Sequence, residues 1–320
     1  MSTATGLRRR PGNQRHRSRN LWFWVFVGPF FAGLLVFVYV PVLWSLYLSF
    51  FDARNTVTPT DFVGLANYAY LLQDQAFLTS MGTFAVFAVF IVPTTFAASL
   101  GLALLVNRVT VAKTFFRSAF FLPTACSYVI ASMIWRLSIF NGARFGLINS
   151  VLRGLGLDGI NWLGGEHYLY WVVLVSLRLW LQVGFYMILF IAGLQRIPTD
   201  TYEAAAIDGA TGWRVFRFIT LPQLRATSVA VVLLLLIGAF QAFDEFYNTL
   251  ISVGTYPPFA RPPLVYLYLV SLGQGSQDLG LGSAGTVILT LVVALVGLIQ
   301  VKIFGFTARE PKVAKPRAEQ

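Results

Sequence analysis

Six apolar runs divide this chain, each long enough to cross the hydrocarbon core of a bilayer. They extend from Trp22 to Leu48, Phe77 to Val106, Thr114 to Ile139, Tyr168 to Leu194, Ala226 to Leu250 and Ser283 to Phe304. A helix needs about 20 apolar residues for that crossing, and in lipid only helices or closed barrels satisfy every backbone hydrogen bond. The pattern therefore predicts an all-α, polytopic membrane protein with six transmembrane helices. A shorter run, Leu264 to Gly273, covers only about 15 Å as a helix, half of a core. It is expected to be interfacial or re-entrant. Pro257, Pro258, Pro262 and Pro263 precede it and Gly273, Gly275, Gly280 and Gly282 follow it, marking irregular connections. Pro29, Pro41, Pro93 and Pro123 fall inside the runs and are expected to kink them.

Composition agrees with lipid as the solvent. Of the 320 residues 57% are apolar and 12% charged, against about a quarter charged in a soluble domain; the mean hydropathy is +0.68. The net charge of +11 would suit nucleic acid only if it clustered on a soluble face. Instead it sorts between the spans. Arg8, Arg9, Arg10, Arg15, Arg17 and Arg19 precede the first span, and Arg108, Lys113 and Arg117 follow the second. Arg196, Arg214, Arg217 and Arg225 follow the fourth, and Lys302, Arg309, Lys312, Lys315 and Arg317 end the chain. The alternate loops hold Arg54, Arg144, Arg153 and Arg261. Eighteen basic residues against four predict that both termini face the cytoplasm. Three segments follow: a basic cytoplasmic arm over 1–20, a membrane domain over 21–306 and a cytoplasmic tail over 307–320. The first run is too long for a signal-peptide core and reads as a retained helix. Residues Arg8 to Arg10 read as a polybasic arm rather than a twin-arginine signal.

One cysteine, Cys126, and two histidines, His16 and His167, rule out an internal disulfide and disfavour a thiolate or imidazole metal site. No G-x-x-x-x-G-K-[ST] loop occurs, since Lys113 and Thr114 follow Ala112 without the glycines that cradle phosphates. No nucleophile, base and acid fall at one membrane level. The chain reads as a non-enzyme.

The inner loop between the fourth and fifth spans, about 195–225, interrupts this apolar chain with TYEAAAIDGATGWRVFRFITLP over Thr201 to Pro222. Tyr202 to Asp208 favours a short helix whose Ala204, Ala205 and Ala206 allow close approach, and Gly209 permits a turn. Trp213 to Ile219 restarts a helix, with Val215, Phe216 and Ile219 apolar beside Arg214 and Arg217, and Pro222 near its end. The prediction is a compact helical hairpin on the cytoplasmic side.

Glu203, Ala204, Ala205, Gly209, Ile219, Leu221 and Pro222 match at every position the Glu-Ala-Ala, three residues, Gly, nine residues, Ile, one residue, Leu-Pro signature of the membrane permeases of binding-protein-dependent ABC importers. The chain resembles that family, and the loop lies where the family places it. Softer matches extend the resemblance: Phe62, Val63, Gly64, Leu65, Asn67 and Tyr68; Phe116, Arg117, Phe121, Leu122 and Pro123; Phe243, Asp244, Glu245 and Tyr247. These look like the carbohydrate-uptake branch of maltose and glycerol-phosphate type. After the fifth span that branch carries a Gly-Gly-Gly-Pro-like run, where this chain has Ser252, Val253, Gly254 and Thr255. The resemblance implies the type I importer permease fold and a bacterial cytoplasmic-membrane location. It makes Glu203, Ala204, Ala205, Asp208, Gly209, Ile219, Leu221 and Pro222 the contact with an ATPase. It implies as partners a second permease, two ATPase subunits that bind ATP and magnesium, and an extracytoplasmic solute-binding protein; this chain itself would hold no cofactor.

Ionisable residues deep in spans usually face the bundle interior or a watery path. Arg178 lies about 15 Å into the fourth span, and Asp244 about 10 Å into the fifth. Arg178 is expected to pair with Asp244 or Glu245. Gln241, Asp244, Glu245 and Asn248 recur at helical spacing, and with Arg178 and Gln182 they are the candidate solute-path residues. A purely structural ion pair explains the same charges equally well. Trp180 and Tyr186 offer flat faces that suit a sugar. The alternatives are a permease for a non-carbohydrate solute and a secondary transporter driven by an ion gradient; the latter would need an internal repeat with paired broken helices, and none is visible.

Overall fold

The computed structural model describes residues 13–142, 146–164, 168–251, 256–273, 275 and 277–304. Ser252 to Thr255, Arg144, His167 and the tail after Phe304 lie outside these residues. Helix α1 (Asn13–Leu34) passes through a π-turn at Leu35–Tyr39 into α2 (Val40–Leu48), making one continuous span from Trp22 to Leu48. Pro41 lacks the N–H that the carbonyl of Phe37 would accept, and Phe37 is the centre of that five-residue π-turn.

Residues Asn67 and Tyr68 then tie the end of this span to α3 (Ala66–Gln73). The Asn67 amide donates to the carbonyls of Ser49 (3.0 Å) and Phe51 (3.1 Å), and the Tyr68 and Ser49 hydroxyls share a bond of 2.6 Å. Asp74 caps α4 (Gln75–Arg108) by accepting from the amides of Ala76 and Phe77 at 3.2 and 3.1 Å. At the other end Arg108 occupies the last turn, and the Lys113 ammonium donates to the Asn107 carbonyl at 3.0 Å. Both cations suit the negative end of the helix dipole.

The expected third span, Thr114 to Ile139, is not one helix. It divides into α5 (Lys113–Phe121), a 3₁₀ turn at Leu122–Ala125 around Pro123, and α6 (Tyr128–Ile134), which ends in a π-turn at Trp135–Ile139; the two halves meet at 93°. Of the four internal prolines, Pro123 alone breaks the helical path. Pro29 and Pro93 lie inside uninterrupted helices. After α7 (Leu147–Gly154) comes α8 (Tyr170–Leu194), the most buried span. Among the described residues four helices are long and apolar enough to span on their own, and two bent pairs, the second ending in Arg225–Phe240, bring the number to as many as six.

Helices α4 and α8 run side by side in the same direction and organise the interior. Toward one end Leu100, Ala103 and Val106 pack on Met187, Phe190 and Leu194; toward the other Phe87 and Ile91 pack with Tyr170 and Leu174. Gly184 of α8 exists for close approach, because a Cβ there would lie 1.8 Å from the Phe120 carbonyl oxygen. Helix α15 (Leu279–Phe304) is the last span, and α14 (Pro263–Leu272) is the short apolar helix expected to be interfacial or re-entrant, packed against α15. No strand occurs among the described residues, only isolated bridges at Phe51 with Phe62 and Arg54 with Asp278.

Candidate functional site

The inner loop folds as the hairpin its sequence suggests, with three adjustments. Helix α9 (Thr199–Ile207) starts three residues before Tyr202, so Asp200 occupies the first turn and Glu203 lies one turn further in. Glu203 is therefore not at the positive end of the dipole. The second arm is not one helix to Ile219: α10 (Trp213–Val215) passes through a π-turn at Phe216–Thr220 into α11 (Leu221–Gln223). Pro222 sits in the first turn of α11 rather than at a helix end, and it frees the carbonyl of Phe218, the centre of that π-turn. Of the three alanines, Ala205 is buried, leaving Ala204 and Ala206 exposed.

Between the arms Gly209 has φ +73°, with open space around the position a Cβ would take. The amide of Ala210 donates to Ala205 (2.9 Å) and that of Gly209 to Ala206 (3.1 Å), the pattern of a left-handed helix cap that glycine adopts most easily. Tyr202, Phe216 and Leu221 pack on the α4–α8 core, Ile219 is half-buried, and the Tyr202 and Thr220 hydroxyls lie 3.3 Å apart. Glu203, Asp208, Gly209 and Pro222 are exposed, as are Ile207, Trp213 and Phe218 (87%, 71% and 73%); Trp213 also meets the Phe216 ring at 5.1 Å and borders a cavity with Leu104, Arg108, Leu194 and Tyr202. The spacing of the loop did not single out these three side chains, although large apolar residues at polar loop positions are the usual sign of a protein-binding patch.

The membrane charges occupy a second region. Arg178 and Glu245 form a buried ion pair, each almost fully excluded from solvent. The guanidinium also donates to the Gly238 carbonyl and to the Gln182 side chain (3.3 Å), and Gln182 donates to the Tyr128 hydroxyl at 2.8 Å. Phe87 and Tyr128 place their rings 5.4 and 5.8 Å from the guanidinium carbon. Gly238 leaves room for this group, since a Cβ there would lie 3.1 Å from its nitrogen.

The fifth span is broken at the pair. Helix α12 (Arg225–Phe240) ends, Gln241 to Phe243 turn, and α13 (Asp244–Leu250) restarts. Gln241, Asp244, Glu245 and Asn248 therefore do not share one helical face: Gln241 and Asp244 are exposed, Glu245 turns inward, and Asn248 donates to the Asp244 carbonyl at 2.8 Å. Arg136, which the span pattern left out, donates to the Asn248 carbonyl at 3.4 Å. Tyr186 is buried in the inner core rather than facing a path, and Trp180 packs against Trp135 at 5.1 Å.

An aromatic wall stands at this break. Phe243 and Tyr247 stack at 5.3 Å and 10°, Tyr247 parallels Tyr256 at 6.2 Å, and Tyr268 of α14 meets both Phe243 and Tyr247 edge-on. Burial holds the Tyr256 hydroxyl well above its usual range. Burial and a 2.6 Å bond to Asp74 do the same for Tyr266.

Residues 95–306 match the family described as binding-protein-dependent transport system inner membrane component, about two thirds of the chain. The chain belongs to this family. It is a multi-pass membrane transport subunit of an ABC importer rather than an enzyme, hydrolysis residing in a separate ATPase, and it works with a solute-binding protein. It is 31% identical to the probable starch degradation products transport system permease protein AmyD of Thermoanaerobacterium thermosulfurigenes, over 88% of this chain and 93% of that one. It is 33% identical to the arabinooligosaccharides transport system permease protein AraP of Bacillus subtilis, over 88% of each. The permease fold matches a chain in the crystal structure of a bacterial ABC transporter involved in the import of alginate, with a TM-score of 0.78, 21% identity and coverage of 91% and 97%.

Proposed function

We propose that this permease carries an oligosaccharide across the cytoplasmic membrane as one of a pair of permeases, driven by two ATPase subunits that bind ATP and magnesium. The observation that carries the coupling role is the outward face of the α9–α11 hairpin. It holds the exposed signature residues Glu203, Ala204, Asp208, Gly209 and Pro222 and three exposed apolar side chains, which a partner protein would cover. Glu203 would accept from a basic side chain of the ATPase while Ile207, Trp213 and Phe218 enter its cleft. Both termini and this hairpin would face the cytoplasm, following the charge asymmetry. The first span supports the second permease: its apolar window has no residue buried within the chain, whereas every other continuous span is partly buried.

Oligosaccharide is favoured by the solutes in the names of AmyD and AraP and by the stacked wall of Phe243, Tyr247 and Tyr268, whose flat faces suit sugar rings. Asp244, Asn248 and Gln241 supply polar groups beside it. The ion-gradient alternative is not favoured. Purification of the chain from native membranes, with identification of bound proteins and solute, tests the proposal. An ATPase, a second permease and an oligosaccharide-binding protein are expected; recovery with a non-carbohydrate binding protein would overturn the solute assignment.

A further inference from the structure

A cleft of about 370 Å³ opens between α4 and the α11–α12 bend, where the two segments meet at 70°. Its wall is apolar, with Phe96 from α4 and Val229 and Val232 from α12, while Arg217 and Arg225 stand at the bend. Two further features favour a negative ligand there. Helix α12 has Arg225 as its first residue, no acidic residue in its first turn and no side-chain cap, so a cation lies at the positive end of a helix dipole, where an anion is stabilising. Arg217 forms no ion pair among the described residues and lies only 6.0 Å over the ring of Phe218.

We propose that this cleft binds an anionic phospholipid of the cytoplasmic leaflet, with its phosphate on Arg217, Arg225 and the start of α12 and an acyl chain along Phe96, Val229 and Val232. The apolar wall decides for a lipid over free phosphate, since it offers nothing to a hydrated anion and removes a methylene chain from water. The depth follows from the cytoplasmic placement of the hairpin proposed above. Leu221 and Pro222 of the family signature line the same cleft, so occupancy would bear on the arm that meets the ATPase.

Photolabelling tests the assignment, using the full chain in nanodiscs and then the assembled transporter. The probe is phosphatidylglycerol with a photoreactive group on one acyl chain, and the zwitterionic phosphatidylcholine analogue is the control. Labelling by the anionic probe is expected at the Phe96 and Val229 to Val232 peptides. R217Q/R225Q should weaken it about thirtyfold, two basic contacts being worth roughly fivefold each. R217K/R225K, which keeps the charge, should stay within about threefold of the parent. V232W, which fills the groove but leaves both arginines, should also abolish labelling. Equal labelling by both probes, no effect of R217Q/R225Q, or displacement of the probe by inorganic phosphate would overturn the proposal. So would labelling of the lone chain that disappears in the assembled transporter, which would give the cleft to a protein partner. Loss of the ATPase interaction in the purification experiment with labelling intact would count against the coupling assignment alone.

Discussion

At the scale of single residues, the most consequential group is the guanidinium of Arg178, because lipid offers it nothing and the bundle offers it everything. Its partners come from α8, α12 and α13. Removing one member of a buried pair leaves the other uncompensated, typically at about 3–5 kcal/mol, whereas replacing both by apolar groups of similar volume is often neutral or better. We therefore expect R178A to lower the thermal stability of the purified chain and to abolish transport, while R153A, on the exposed face of α7, leaves both unchanged. R178M/E245L should regain most of the stability that R178A loses. Thermal melts beside transport in vesicles check this, and equal behaviour of R178A and R153A would mean the pair carries no weight. Regained stability without transport would separate a solute-path role from a structural one. The charge itself was legible in the sequence, since an arginine ten residues into an apolar run has to find a partner. Its choice of Glu245 over Asp244 was not, because that depends on where the fifth span breaks. Gly238 and Tyr128 were equally hidden, since neither is unusual until the guanidinium beside it is located.

At the scale of elements, spacing found the hairpin and missed its breaks. The Gly209 turn was legible because a glycine six residues after Glu203 interrupts a run of helix formers, and its φ of +73° bears out the need for a special backbone angle. The π-turns at Phe216–Thr220 and Leu35–Tyr39 were not foreseen, yet each centres on the residue four before a proline. The bend at Pro123 was expected from the proline, though not its 93° sharpness, whereas the turn at Gln241 to Phe243 was hidden because an apolar run continues through it, and periodicity alone does not distinguish a crossing helix from two that meet at an angle. The open space around Gly209 refines what a substitution there would do. A side chain would meet no neighbour, so the cost is the left-handed conformation itself, about 1–2 kcal/mol for an ordinary residue and less for Asn or Asp. G209V should therefore loosen the cap and reduce capture of the ATPase subunit in pull-downs, and G209N should retain most of it. E203A touches no internal contact of the hairpin; it should assemble but lower solute-stimulated ATP hydrolysis in reconstituted vesicles. Wild-type behaviour of both G209V and E203A would make the hairpin a solvated connector.

At the scale of the whole molecule, a charge asymmetry and an absent motif together define a subunit that depends on others. Eighteen basic residues on one set of loops against four on the other are the ground for the proposed orientation, because translocation of short basic loops is disfavoured. The proposed orientation would place the hairpin beside the solution that holds ATP, and the chain itself has no phosphate-binding loop with which to use it. Both halves of that statement are testable on one construction. Ile207 is 87% exposed on the face proposed to meet the ATPase, so I207C in a Cys126→Ser background puts one reactive thiol there. A membrane-impermeant maleimide should fail to label it in intact cells and should label it in inside-out vesicles, with labelling suppressed when the ATPase subunit is bound. The purified chain should hydrolyse no ATP until that subunit is added. Labelling from outside in intact cells would invert the topology and remove the hairpin from any ATPase. Labelling from the inside that the ATPase fails to suppress would keep the topology and move the coupling contact elsewhere on the cytoplasmic face. Turnover by the lone chain would place nucleotide chemistry in a fold whose sequence provides no cradle for it.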